Sequence, residues 1–572
     1  MAYFLKKSNL KKGVYLQIYE SFYDAERKQT AHRSYKALGY VNELKDKGIE
    51  DPISYYKTEV EKLNRARKDQ MHKEKQRQIG EESPERYLGY FPLKNLNDKL
   101  GVKKYIDWMQ TAVDFKFNVF SMMSALVYAR AVRPYSKRRT FDEVIPKLFE
   151  KYDFSLNQLY EGLEYIGSEY EKIIEIYNHQ ISQMYPFDTS HTYFDCTNFY
   201  FEIDREDSFR RKGPSKENRK EPIVGLGLLL DAHQIPIGMK LFPGNESEKP
   251  VLRSVIHDLK QRSNISGKTI QVADKGLNCG DNIFHAVSNG DGYIFSKSVK
   301  QLSEVEKTWV LLENDYVDVT DKDGNLKYRY KECTDSFSYE ITDETVKNGK
   351  RKIKLSEKRV VTYNPLLAQK QQYEIRRQVE KAKLLKASAA KKSEYGDSSK
   401  YVTFSATDSK GNTAGGKILV TMNEKKINED LKIAGYNLLV TSETQMSSSE
   451  IYEAYHNLWR IEESFRVMKS QLDARPVYLQ KEETITGHFL ICYLAVLLSR
   501  LLQFKVLKNE YNSEALWNFI HDFRIAQISE HQYINLTKNT DFIKDLASLM
   551  GLPLTSYFLS TTQINSFLGH KI

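Results

Sequence analysis

The sequence predicts an α/β fold: a mixed sheet with flanking helices, interrupted by a β-rich insertion and preceded by an N-terminal β-hairpin and a helical region. Three observations point there. From His191 to about residue 300, short apolar strand patterns and amphipathic stretches follow in the order β-β-β-α-β-α-β. Strand-like pieces then crowd residues 301–435 and read as an insertion rather than a continuation of that sheet. Helical periodicity resumes at Ser449 and runs to the C-terminus.

The elements are justified in order. VYLQIYESFY and TAHRSYKALGYV alternate apolar and polar residues around a polar turn, as a hairpin requires. From Pro52 to about Gln78 a Lys/Arg-rich stretch has helical spacing and almost no apolar face, which predicts a solvated linker helix. LKNLNDKLGV, FNVFSMMSALVYARAV and LNQLYEGLEYIGSEYEKIIEIYNHQI make residues 85–188 helical. Arg130, Arg133, Lys137, Arg138 and Arg139 crowd the middle of that region, where a phosphate-facing patch and a solvated helix end are about equally expected. HTYFDCTNFYFEI, IVGLGLLLD and IPIGMKLFP are three strands; VLRSVIHDLKQRS, TIQVAD, NIFHAVSN and GYIFSK complete the alternation. WVLLENDYVDVT, LKYRYKE and KRKIKLSEKRVVTYN read as strands of the insertion, followed by a basic helix from about Pro365 to Lys392 and the strands YVTFSATD, GKILVTM and YNLLVTS. The implied divisions are 1–80 (hairpin and basic helix, with a DNA-binding role in view), 81–190 (helical), 191–300 and 436–510 (two parts of one core), 301–435 (insertion) and 511–572 (helical).

Composition narrows the function classes. Of 572 residues, 40% are hydrophobic and 28% charged, which excludes a disordered tail. The longest apolar run, Phe489–Leu498, is well short of the roughly 20 residues that span a bilayer. MAYFLKKSNLKKG offers no secretory signal, so a cytoplasmic protein is expected. Cys196, Cys279, Cys333 and Cys492 lie far apart without a CxxC pair, against a zinc ribbon or a disulfide framework. The net charge of +10 favours a polyanionic partner.

Three acids stand where burial is costly. Asp195 lies inside the aromatic strand YFDCTNFYF, Asp274 ends TIQVAD, and Glu462 lies on SSEIYEAYHNLWRIEESFRVMKSQL. Ser447 and Glu450 form a capping box that starts this helix. Helical geometry puts Tyr455, Trp459, Glu462, Phe465, Arg466 and Lys469 on one stripe and turns Glu463 about 100° away, toward water. Singly, each acid is more economically an ion pair or a backbone-satisfied carboxylate. Together they make an all-oxygen set suited to Mg²⁺ or Mn²⁺, and two such ions about 3.5–4 Å apart serve phosphodiester chemistry.

With those residues in hand, the chain resembles the DDE transposases of bacterial insertion sequences, which have an RNase H-like core. The branch it resembles carries a Y-x2-R-x3-E-x6-K signature and a β-rich insertion before the glutamate. Tyr455, Glu462 and Lys469 match at the right offsets, and Leu458 replaces the arginine, for which Arg460 or Arg466 are candidate substitutes. LFPGNESEKP, ADKGL, LDARPVYL and the N-terminal ALGYV add to the likeness, which covers roughly residues 85–510. The resemblance implies that Asp195, Asp274 and Glu462 are catalytic and hold two Mg²⁺ (or Mn²⁺) ions per active site. It assigns Tyr455, Lys469, Arg466 and Arg460 to DNA. It further implies cleavage of double-stranded DNA at terminal inverted repeats, strand transfer to target DNA, a homodimer in the synaptic complex, and a nucleoid-associated protein with no membrane partner. A catalytically inactive DNA-binding descendant is the second reading; a two-carboxylate sugar hydrolase ranks last, since it needs neither metal nor basic charge. The basic loop from Arg205 to Glu221 reads as a solvated loop sooner than a DNA grip, and Trp309 as a strand residue sooner than a base-stacking one.

Overall fold

The computed structural model describes residues 2–24, 29–75, 83–216, 220–262, 267–384, 392–407 and 417–572. Contacts divide the chain into two compact units, Met1–Ser83 and Pro84–Ile572. In the first, Tyr3–Leu10, Gly13–Asp24 and Gln29–Tyr40 form a three-stranded antiparallel sheet, one strand more than the expected hairpin. Helix Pro52–Lys75 is docked on this sheet rather than solvated all round. Asn64 exchanges hydrogen bonds of 2.8 and 2.9 Å with the Tyr3 backbone, Arg67 pairs with Glu20 at 2.9 Å, and Val60 is buried. The end of this helix expected beyond Lys75 lies outside the described residues.

The second unit opens with a short strand, Glu85–Tyr87, where a helix was expected, and is then helical as the periodicity of residues 85–188 requires. Helix Val119–Val132 is buried except at Ser121, and so is nearly all of helix Glu482–Leu501. A helix apolar on every side must lie inside a core, and each supplies a wall for the other. The second of these continues through a wider turn to Val506 and is long and apolar enough to cross a membrane, but its apolar window is wholly buried in the protein. It is a core helix. Helix Leu156–Ser168 packs on it through glycines: a Cβ on Gly487 would fall 2.2 Å from the Leu163 carbonyl oxygen, and one on Gly167 only 1.7 Å from that of Glu483.

A nine-stranded sheet forms the centre. In chain order its strands are β1 (His191–Tyr200), β2 (Ile223–Leu230), β3 (Pro236–Pro243), β4 (Ile270–Ala273), β5 (Gly292–Lys297), β6 (Val317–Thr320), β7 (Leu326–Thr342), β8 (Lys350–Tyr363) and β9 (Tyr436–Thr441). The spatial order is β6-β7-β8-β9-β5-β4-β1-β2-β3. Within it β3, β2, β1, β4 and β5 are contiguous; the first three are mutually antiparallel and the last three parallel. Helix Glu248–Gln261 links β3 to β4, and helix Gly280–Ser288 links β4 to β5. This is the predicted β-β-β-α-β-α-β core.

The insertion departs from expectation. β9 pairs antiparallel with β5, and β8, β7 and β6 follow, so these strands extend the central sheet instead of standing apart from it. The physical reason is the edge of β5. Its unpaired N–H and C=O groups need partners, and Leu438, Leu439 and Val440 of β9 are buried where they pair. Among the described residues of the insertion, Val402–Thr407 and Lys417–Met422 form a two-stranded sheet of their own. The WVLL segment is helical, not extended: Ser303 and Glu306 form a reciprocal capping box that starts helix Glu304–Leu311. The basic helix runs Pro365–Lys383, and its expected continuation from 385 to 391 lies outside the described residues. The C-terminal region is not all helix, because Arg524–Ser529, Gln532–Asn535 and Phe558–Ser560 form a four-stranded sheet with Glu85–Tyr87.

Candidate active site

Sheet register sets the first two acids side by side. β1 and β4 run parallel with Phe194 opposite Ala273, so the next residues, Asp195 and Asp274, leave adjacent strands at the same level. Burial, reinforced by Glu248 and Asp274 nearby, pushes the Asp195 carboxyl up to about 6, while Lys216 pulls it back. Asp195 Oδ1 accepts the Cys196 amide hydrogen at 2.7 Å and lies 3.6 Å from Lys216 Nζ. That ammonium also donates to the Cys196 carbonyl and lies 3.5 Å from Glu248 Oε1. Lys216 therefore bridges two carboxylates at the side of the pair.

Tyr455 meets the second acid. Its hydroxyl donates to Asp274 Oδ1 at 2.9 Å from the last turn of helix Ser448–His456. The capping box of Ser447 and Glu450 starts this helix as expected. It does not continue to Lys469, however: the chain turns at Asn457–Leu458, helix Trp459–Arg466 follows, and a π turn covers Val467–Gln471. A single stripe extrapolated at 3.6 residues per turn fails across these breaks.

The two glutamates consequently exchange environments. Glu463, expected to face water, is buried and holds Arg500 Nη1 at 3.0 Å; Arg500 is itself only 2% exposed. Glu462 is exposed, and among the described residues no ion pair involves it. Among the described residues Glu462, not Glu463, is the one of the two without an ion-pair partner. Lys469 Nζ lies 5.5 Å from the Phe199 ring. Phe199 shares a face of β1 with Asp195, so the lysine reaches over the acid-bearing strand. Arg466 is 71% exposed and 3.8 Å from Glu463, and Arg460 lies over the Trp459 and Phe504 rings. Leu458, at the position where an arginine was sought, is buried in the apolar core.

A cleft of about 580 Å³ opens from Asp274 and Tyr455. Ser296 and Asn437 of the sheet and Lys370 and Tyr401 of the insertion line it. Trp309 is not part of it; its ring takes the Lys331 ammonium at 5.2 Å.

Residues 186–498, more than half of the chain, match the family described as "Transposase DDE domain". The chain belongs to that transposase family. No curated protein matches it. The cryo-EM structure of a piggyBac transposase synaptic complex with hairpin DNA aligns with 10% identity and a TM-score of 0.35, covering 76% of this chain and 78% of that one.

In this transposase the adjacent carboxylates of Asp195 and Asp274 are hard oxygen donors, with Lys216 shared between Asp195 and Glu248, and such donors fit a hard divalent cation. Among the described residues, no three His, Cys, Asp or Glu side chains converge as a metal cluster, so Glu462 does not complete a three-acid set in this conformation. Lys216 and Glu248 were missed in the sequence. Glu248 sits within LFPGNESEKP, and Lys216 within a loop whose charge alone gave it no partner. Its placement comes from backbone packing. A Cβ on Gly213 would fall 1.9 Å from the Gly244 carbonyl oxygen, and Asn198 Oδ1 accepts the Lys216 amide hydrogen at 3.1 Å. Residues 217–219 of that loop lie outside the described residues.

Proposed function

We propose that the protein is a DNA transposase of an insertion sequence, in the branch with the Y-R-E-K signature. It cuts double-stranded DNA at the element's terminal inverted repeats and joins the ends to target DNA. The observation that carries this reading is the level placement of Asp195 and Asp274 on neighbouring parallel strands. Asp195 and Asp274 would hold Mg²⁺ or Mn²⁺, with Glu462 joining them from the helical layer once it moves to the pair. Bound there, such cations would supply Lewis-acid stabilisation of the attacking and leaving oxygens of a phosphodiester.

The chain's own groups prepare the substrate. Tyr455 fixes the rotamer of Asp274 through its hydrogen bond. Lys469 reaches over β1 and presents a point charge to a phosphate near the cut. Arg466, exposed one turn beyond Glu462, and Arg460 add cationic contacts along the same duplex. The basic N-terminal unit adds to the grip. Two copies act together, since cutting and joining two ends calls for two active sites. In the cell such a protein associates with the nucleoid.

The test is incubation of purified protein with labelled duplex from the element ends. Cleavage that requires Mg²⁺ or Mn²⁺ and stops in excess EDTA supports the proposal. DNA binding without cleavage under any divalent ion would favour an inactive descendant instead.

A further inference from the structure

Arg130, Lys137 and His488 form a cationic cluster away from the acids. Their relative exposures are 5%, 6% and 4%. Lys137 Nζ lies 2.9 Å from His488 Nδ1, and His488 Nε2 lies 3.1 Å from the Ala474 carbonyl oxygen. With Nε2 donating to that carbonyl, Nδ1 is left to accept from the lysine. Arg130 Nη1 donates to the carbonyls of Leu472 and Asp473 at 3.3 and 3.4 Å. Among the described residues no carboxylate forms an ion pair with Arg130 or Lys137.

An uncompensated buried cation costs several kcal/mol, so beside Arg130 the Lys137 amine is held toward its neutral form until an anion is near. Burial first, and Arg130 next, drive the Lys137 ammonium well below the usual lysine range. Fixing the 472–474 loop explains the hydrogen bonds of Arg130 but calls for no charge on Lys137. The cluster also opens to solvent. It lines a pocket of about 500 Å³ whose mouth carries Arg138, Arg139, Tyr135 and Tyr478. Arg138 and Arg139 are exposed and face Asp142 and Glu143 at 3.7 and 2.9 Å, and Asp473, which also lines the pocket, is the carboxylate nearest in effect to Arg130. The loop gripped by Arg130 begins three residues after Lys469, linking the pocket to the signature segment.

We propose that the Arg130–Lys137–His488 pocket is a phosphate-binding site that takes a backbone phosphate of DNA, separate from the Asp195–Asp274 pair. An anion supplies the missing counter-charge and finds ammonium and guanidinium donors already held in place. The DNA source of that phosphate rests on the proposed function; the phosphate chemistry does not.

The test compares wild type with Lys137→Met, which keeps the length of the side chain and removes its charge. Binding of a labelled duplex from the element ends is measured as a function of salt. The variant should keep or raise the melting temperature, and its log–log salt slope should be shallower by about 0.9, the value of one lost phosphate contact. A slope equal to that of wild type overturns the site even if DNA binding is real. Should Lys137→Met not fold, Arg138→Glu decides: at 78% exposure it spares the fold and places an anion at the mouth. It must then weaken binding, and unchanged affinity overturns the proposal.

If wild type binds no duplex, the DNA reading itself fails, and inorganic phosphate judges the pocket. At matched ionic strength with chloride, a melting temperature raised by phosphate in wild type and not in Lys137→Met supports a phosphate site filled from another source. Equal shifts in both proteins overturn it.

Discussion

Tyr455 donates its hydroxyl hydrogen to Asp274 Oδ1 at 2.9 Å across 181 positions of sequence. The bond ties the last turn of helix Ser448–His456 to the end of β4. Burial, with Asp274 adding to it, holds the phenol far above its ordinary range, so it stays a donor at every working pH. Tyr455→Phe leaves the ring and removes the donor. Loss of such a supporting bond to a metal ligand typically costs about 10- to 100-fold in metal affinity or activity. The expected outcome is a loss of that size in single-turnover cleavage, larger than any loss of DNA affinity. Unaltered cleavage would show that Asp274 needs no help from Tyr455.

Glu462 and Glu463 should separate function from stability. Glu463→Gln leaves Arg500 as a buried cation with a weakened partner, and breaking such a pair costs about 3 kcal/mol or more. Its denaturant midpoint should fall clearly. Glu462→Gln, at an exposed position, should stay within about 0.5 kcal/mol of wild type yet lose nearly all cleavage. Urea titrations beside single-turnover assays check both. A stable Glu463→Gln together with an active Glu462→Gln would reverse the assignment.

The sequence carried the core because each of its elements reports itself locally. Asp195 and Asp274 sit on apolar strands whose order leaves few topologies, and a parallel pairing of those strands brings them level. What it could not carry was set by breaks and partners. Nothing in YHNLWRIEESFR marks the turn at Asn457–Leu458, so unbroken helical periodicity turns Glu463 to solvent although Arg500, 37 positions later, is its partner. Lys216 finds Asp195 and Glu248 only because Gly213 and Gly244 let two loops touch. The insertion strands were legible as strands, but joining β5 depends on a free sheet edge, which no local pattern displays. The helix at Trp309 was legible and overlooked, since Ser303 and Glu306 spell a capping box.

Asp231 should give stability a pH dependence of known sign. It is fully buried at the β2–β3 turn, where its carboxyl accepts amide hydrogens from Ile235 at 2.7 Å and Asp188 at 3.2 Å. Burial nevertheless pushes it up to about 7. The folded state thus holds this proton more tightly than the unfolded chain. The associated stability is complete below the unfolded value near 3.9 and is lost as pH rises through about 7. Asp231→Asn cannot titrate. The melting temperature of wild type minus that of Asp231→Asn should therefore decline from about pH 5 to about pH 8. A flat or rising difference would contradict this assignment.

Gly167→Ala tests the closest helix contact. The new methyl would overlap the Glu483 carbonyl, which backbone hydrogen bonding keeps from yielding. Overpacking of this kind costs about 1–3 kcal/mol, so thermal unfolding should begin at a visibly lower temperature. The same substitution at Gly276, where a Cβ would meet nothing within 4 Å, serves as control and should leave the midpoint nearly unchanged.

The central claim is that Asp195 and Asp274 form a metal-dependent cutting site in a protein that holds DNA by other groups. Cleavage and affinity measured side by side on element-end duplex, for wild type, Asp195→Ala and Asp274→Ala in Mg²⁺, test it most directly. Phosphate neutralisation by Lys and Arg supplies most of the affinity. Both variants should therefore bind nearly as wild type does and show no cleavage. Folded variants that still cut, or that lose binding as completely as cleavage, would contradict the account.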